Sequence, residues 1–124
     1  MNPVFTVPAA LCLLAGCVPC VNAARRAAPQ RAITVSASAG VLLPCMDQLL
    51  TTAWTPRGRT VTRTMAPAAD VGELTIADRA GPVLLVDART RWAWSSRVEM
   101  RTLRRSVDES DLDRVATIAE ACSS

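Results

Sequence analysis

From Ala32 onward, short stretches of the chain alternate apolar and polar positions, the pattern of strands with one buried face. Ile33 and Val35 flank Thr34, and after the Ser38-Ala39-Gly40 turn Val41, Leu43 and Cys45 recur at every second position. Two strands are predicted there, with Cys45 facing the core beside Val41 and Leu43. Thr51 to Thr55 is rich in β-formers and holds Trp54, and Thr55-Pro56-Arg57-Gly58 suits a type I turn. With Arg59 to Met65 alternating around Val61, this stretch predicts a hairpin. Beyond the Ala66 to Ala69 stretch, Leu74 and Ile76 alternate, Ala80-Gly81-Pro82 breaks the chain, and Val83 to Val86 is a continuous apolar run. That run predicts a buried strand. Trp92 and Trp94 share a face if extended, and Val98 and Met100 alternate beside Arg97 and Arg101.

The period changes near the end of the sequence. Ser106-Val107-Asp108-Glu109 has the capping-box form, and Leu112, Val115, Ala119 and Cys122 recur at helical spacing. A helix is predicted over Asp108 to Ala121, with its acidic residues in the first turn, where they complement the helix dipole.

The beginning of the chain is of another kind. Val4 to Val21 is apolar and uncharged, and Val21-Asn22-Ala23 offers small residues at the two subsites read by signal peptidase. The expected organisation is a signal peptide over residues 1–23, a flexible Ala/Arg/Pro arm over 24–31, and one domain over 32–124. An alternative lies inside the same leader. Leu14-Ala15-Gly16-Cys17 resembles the lipobox of bacterial lipoproteins, in which the cysteine is acylated and becomes the new N-terminus. Cleavage after Ala23 predicts a secreted product; acylation at Cys17 predicts a membrane-tethered one.

The cysteine count depends on that choice. Of five cysteines, Cys45 and Cys122 alone survive cleavage after Ala23, and an even remainder in an exported chain predicts one disulfide, against two unpaired buried thiols. Under acylation Cys20 also survives, leaving an odd thiol.

Composition narrows the chemistry. All 14 basic residues are arginine, against 11 carboxylates, and the net charge of +3 is too small for the concentrated basic footprint of a nucleic-acid binder. The sequence has no histidine and no tyrosine. Histidine-based nucleophile activation, general-base catalysis and metal ligation are therefore excluded, and neither an enzymatic activity, a metal nor a cofactor is expected.

Ala39 to Cys45, Trp54 nine residues later, the basic strand Arg97-Val98-Glu99-Met100 and Cys122 together resemble an immunoglobulin V-set domain. The resemblance spans Ile33 to Cys122. It implies an all-β, two-sheet sandwich pinned by Cys45 and Cys122, with Trp54 packed over the bridge in the core. Ala116 to Ala121 lacks the aspartate and tyrosine of the family's second-cysteine motif, and the sequence ends two residues past Cys122. The implied sandwich is therefore incomplete, with a C-terminal helix, and a small α+β domain is the alternative. The functional expectation is a secreted or receptor-derived recognition module, immune in character and without catalysis, that binds another protein. Arg57, Arg59, Arg63, Trp92 and Trp94 are its candidate contacts. The alternative is a small bacterial envelope lipoprotein acylated at Cys17. No nucleic acid is expected as a partner, and no membrane unless the chain is acylated or is a receptor fragment.

Overall fold

A computed structural model describes residues 18–66, 70–92 and 94–123. The leader before Val18, with the lipobox and Cys17, lies outside these residues. The elements run α1 (Val18–Arg26), β1 (Arg31–Val35), α2 (Ala39–Trp54), a 3-10 turn (Thr55–Arg57), β2 (Thr60–Ala66), β3 (Val71–Asp78), β4 (Gly81–Trp92), β5 (Ser95–Thr102) and α3 (Glu109–Cys122). The five strands form one antiparallel sheet in the order β1-β5-β4-β3-β2. Helix α2 carries the chain from one edge of the sheet to the other, and the strands return as a meander.

The expected richness in strands is present, but the two-sheet sandwich is not confirmed: the described residues form one sheet with helices packed on it, which fits the α+β alternative. The difference originates in Ala39–Trp54, expected as a strand and half of a hairpin. Its buried residues, Ala39, Leu42, Leu43, Met46, Leu50 and Trp54, follow the three- and four-residue spacing of one helical face, while Val41 is exposed. Pro44 lies inside the helix, where it removes one ladder hydrogen bond without ending it. The helix stops at the 3-10 turn carrying Pro56, and Gly58 then reverses the chain at φ 78°, a left-handed conformation that glycine adopts without strain.

Alternation along the remaining strands decides which residues meet the helices. Leu74 and Ile76 of β3, Leu84, Val86 and Ala88 of β4, and Val98 and Met100 of β5 are fully buried in one cluster with α2 and α3. Gly72 stands where α2 approaches closest. A Cβ there would lie 2.5 Å from both the Leu43 Cδ1 and Met65 Sδ atoms and 3.0 Å from Thr64 O, so a side chain at this position would make both of those side chains shift.

Helix α3 lies beside α2. It begins at Asp108, whose side chain accepts from Asp111 N while Asp111 Oδ2 accepts from Asp108 N. The capping box thus pairs Asp108 with Asp111, two residues beyond the Ser106–Glu109 box expected. Leu112, Val115, Ala119 and Cys122 face the core. Arg31 on β1 donates to Asp113 Oδ1 and Glu109 Oε1, each at 2.6 Å, tying α3 to the sheet edge.

Segment 24–31, expected as a flexible arm, is held on the opposite face. Ala24 to Arg26 close α1, Arg25 bonds Glu73, Arg101 Nε donates to Ala27 O, and Gln30 N donates to Met100 O.

Cys45 on α2 and Cys122 on α3 stand in disulfide geometry, with Cα atoms 5.8 Å apart. A bridge there closes a loop of 77 positions, worth about 4 to 5 kcal/mol in the chain-entropy account. Cys122→Ser is expected to lower stability by roughly that amount in a denaturant titration under oxidising conditions, and to cost little under reducing ones.

Candidate functional site

Each strand has a second face. The residues that alternate with the core positions of β3, β4 and β5 are Glu73, Asp87, Arg89, Arg97, Glu99 and Arg101, and these strands are central to the sheet. Pairing aligns them in rows. Glu73 lies opposite Asp87 and Asp87 opposite Glu99, making a carboxylate row across three strands. On one side of it Arg89 lies opposite Arg97, and on the other Leu85 lies opposite Arg101. With Arg25 from α1 and Arg91 near the end of β4, these side chains line a cleft of about 320 Å³.

The carboxylate row is held by specific partners. Arg25 donates to both oxygens of Glu73, at 2.9 and 2.7 Å, and its Nη1 also reaches Asn22 Oδ1. Arg101, almost buried, donates to Asp87 Oδ2 at 3.0 Å and Glu99 Oε1 at 2.8 Å. Arg97 Nε donates to the other Glu99 oxygen. Burial alone would raise the Glu73 pKa, but hydrogen bonds from Arg25 and Asp87 outweigh it and hold the carboxyl below its ordinary value. Asp87 is the opposite case: burial first, then the hydrogen bond and negative charge of Glu73, push it up to about 7. Adjacent carboxyls resist ionising together, and the opposite shifts of Asp87 and Glu73 divide in that sense. Hydrogen bonding from Arg97, helped by Arg101, lowers Glu99.

The residues singled out from the sequence fall in different places. Trp54 is fully buried at the end of α2. Arg59 is only 7% exposed, with its guanidinium 5.1 Å from the centre of the Trp54 ring. Arg59 meets Asp111, itself 2% exposed, at 3.1 and 3.3 Å, and donates to Ser106 O. The shorter approach, from Nη1, is an ion pair without hydrogen-bond alignment. Arg57 reaches the same Asp111 at 3.5 Å, and Arg63 approaches Asp47 of α2 at 3.6 Å. These arginines join β2 and its approach to the two helices; they do not form one surface with the tryptophans.

Trp92 and Trp94 are 77% and 78% exposed at the β4–β5 turn, the opposite end of the sheet from Arg59. Val41, 63% exposed, belongs to that same end, because α2 starts there with Ala39 N donating to Thr90 Oγ1 and Gly40 N to Asp70 Oδ1. The cleft and the tryptophan turn are thus neighbours along β4. Sequence reasoning missed the cleft, although its residues stand at the polar positions of alternating strands. Among the described residues, no group of three or more Cys, Asp or Glu is placed to hold a metal ion. No protein-family model, curated protein or solved structure matches the chain.

Two measurements check these assignments. Asp111→Ala leaves Arg59 buried without its counter-charge and removes half of the capping box, so a loss of about 3 to 5 kcal/mol is expected in chemical denaturation. Asp87 titrates in the folded chain near 7 and in an unfolded chain near 3.8. The folded state therefore binds the extra proton, and stability falls as pH rises between those values. The melting temperature is expected to drop by several degrees from about pH 5 to about pH 8, and Asp87→Asn to flatten the slope.

Proposed function

We propose that the protein is a small exported recognition module, without catalytic activity, held on an envelope membrane through acylated Cys17, and that it presents the β4–β5 turn to a protein partner. The observation that carries the tethered reading is helix α1. Over the described residues Val18–Arg26 it runs unbroken through Ala23 and Ala24, the two residues between which signal peptidase would cut. Cleavage there removes Asn22, one of the two side chains that hold Arg25, and leaves Arg25 next to a free terminus. Acylation at Cys17 keeps the whole helix and gives Arg25 a fixed approach to Glu73. The α+β architecture with a terminal helix favours this reading over an immunoglobulin-like module. Disulfide geometry at Cys45 and Cys122 suits an oxidising compartment.

The recognition half rests on the exposed tryptophans. Two large aromatic side chains left in solvent at one turn form the kind of anchor that dominates protein interfaces, and nearby arginines suit such a surface. The lack of histidine removes the commonest acid–base and nucleophile chemistry, and the cleft carboxylates are tied up in ion pairs.

Intact-mass and N-terminal peptide analysis of the chain, expressed with its own leader in a bacterial host, separates the two processing routes. The expected mature N-terminus is a lipid-modified Cys17, and Cys17→Ser is expected to remove the protein from the membrane fraction. A free amine at Ala24 as the main product overturns the tethered reading.

A further inference from the structure

The charges of the cleft do not balance. Five arginines, Arg25, Arg89, Arg91, Arg97 and Arg101, face three carboxylates. The carboxylates are already committed: Glu73 to Arg25, Asp87 to Arg101, and Glu99 to both Arg97 and Arg101. Arg89 and Arg91 are exposed and have no ion-pair or hydrogen-bond partner among the described residues. Arg97 uses one edge of its guanidinium on Glu99, leaving the outer nitrogens open.

The positions of these groups make the excess more telling. Arg89 and Arg97 are direct cross-strand neighbours, an arrangement that places like charges side by side and opposes sheet pairing. Arg91 adds a third cation to the same wall of the cleft. A sheet that pairs two arginines here without a carboxylate between them is more stable when an anion lies across both. Arginine is also the side chain suited to such an anion, since its planar fork meets two oxygens at once.

We infer that the cleft is an anion site that takes a phosphate group, bridged by Arg89 and Arg97 and closed on its outer side by Arg91. A dianionic phosphate offsets more of the positive excess than a single carboxylate does. The carboxylate row beneath the site would repel an anion entering more deeply, so the phosphate sits at the arginine row, towards Trp92. This site stands apart from the manner of tethering, and its test does not depend on the N-terminus.

The test compares thermal stability and titration calorimetry of the purified mature protein with three soluble probes at matched ionic strength: inorganic phosphate, glycerol 3-phosphate and glycerophosphoglycerol. Acetate is the control anion. Phosphate is expected to raise the melting temperature where acetate does not. Arg89→Gln and Arg97→Gln are each expected to weaken phosphate binding roughly 10- to 100-fold. Without phosphate, Arg89→Gln is expected to melt no lower than the parent, because a like-charge pair has been relieved and no partner is lost, whereas Arg97→Gln also gives up the contact with Glu99; a merely structural Arg89 would lower it. Binding of inorganic phosphate and glycerol 3-phosphate alone identifies a phosphomonoester as the natural group, and binding of glycerophosphoglycerol, a phosphodiester, as well identifies a lipid headgroup among its sources. Equal shifts with phosphate and acetate, no binding of any probe, or undiminished binding by both variants overturns the site.

Discussion

Everything else in the molecule depends on the burial of a single sheet face beneath α2. That helix supplies Leu42, Leu43, Met46, Leu50 and Trp54, all fully buried, and spans from the β1 edge to the β2 edge. Each fully buried side chain of this size contributes about 1.5 to 3 kcal/mol, an upper estimate because an unfolded chain also hides some surface. No other helix of the described chain covers so much of the sheet. The fit is close enough that a Cβ at Gly72 would displace the Leu43 side chain where it descends onto β3. Helix α3 then packs beside α2, and the possible bridge from Cys45 to Cys122 fastens helix to helix without crossing the sheet. In a two-sheet sandwich the equivalent bridge would join one sheet to the other.

Committing one face to apolar packing leaves the other to charge. In strands the two faces alternate residue by residue, so Leu74, Val86 and Val98 inward require Glu73, Asp87 and Arg97 outward. The central strands are long and lie in register, which lines the outward residues up as rows of one sign. Rows of like charge are tolerable only with counter-charges between them. Arg25 and Arg101 supply these for the carboxylate row, and the raised pKa of Asp87 eases the remainder. In the arginine row Arg97 shares Glu99 with Arg101, while Arg89 has no counter-charge among the described residues, which makes that row the chemically unfinished part of the fold.

The strands β1, β2, β3 and β5 and the helix α3 were legible in the sequence from their own periods, and β4 from its continuous apolar run. Helix α2 was not. Over its first turn Val41, Leu43 and Cys45 satisfy period two, and Pro44 looks like an end to any helix. Only the longer run to Leu50 and Trp54 distinguishes the helical spacing. That misreading produced the sandwich, since placing Cys45 and Trp54 on strands is what made them resemble a V-set pair. The arginines after Trp54 failed for a different reason. Their chain neighbours are polar and suggest a solvated turn, whereas their partner Asp111 lies 52 positions beyond Arg59. The charged cleft is a product of register: Glu73, Asp87 and Glu99 are separately visible as polar strand positions, but the turns between strands decide that they meet.

The same register links the two ends of the proposed activity. Helix α1 reaches the sheet at the carboxylate row through Arg25, and the arginine row follows one pleat further along β4, before the tryptophans. A tether attached before Val18 would therefore approach the sheet on the face that carries the cleft, while α2 and α3 occupy the other. An anion bound across Arg89 and Arg97 lies between that point of attachment and the β4–β5 turn. Its charge would draw Arg97 away from Glu99, leaving more of Arg101 for that carboxylate and less for Asp87. Asp87, raised by burial and by Glu73 and lowered by Arg101, is then the group of the cleft most sensitive to what occupies it.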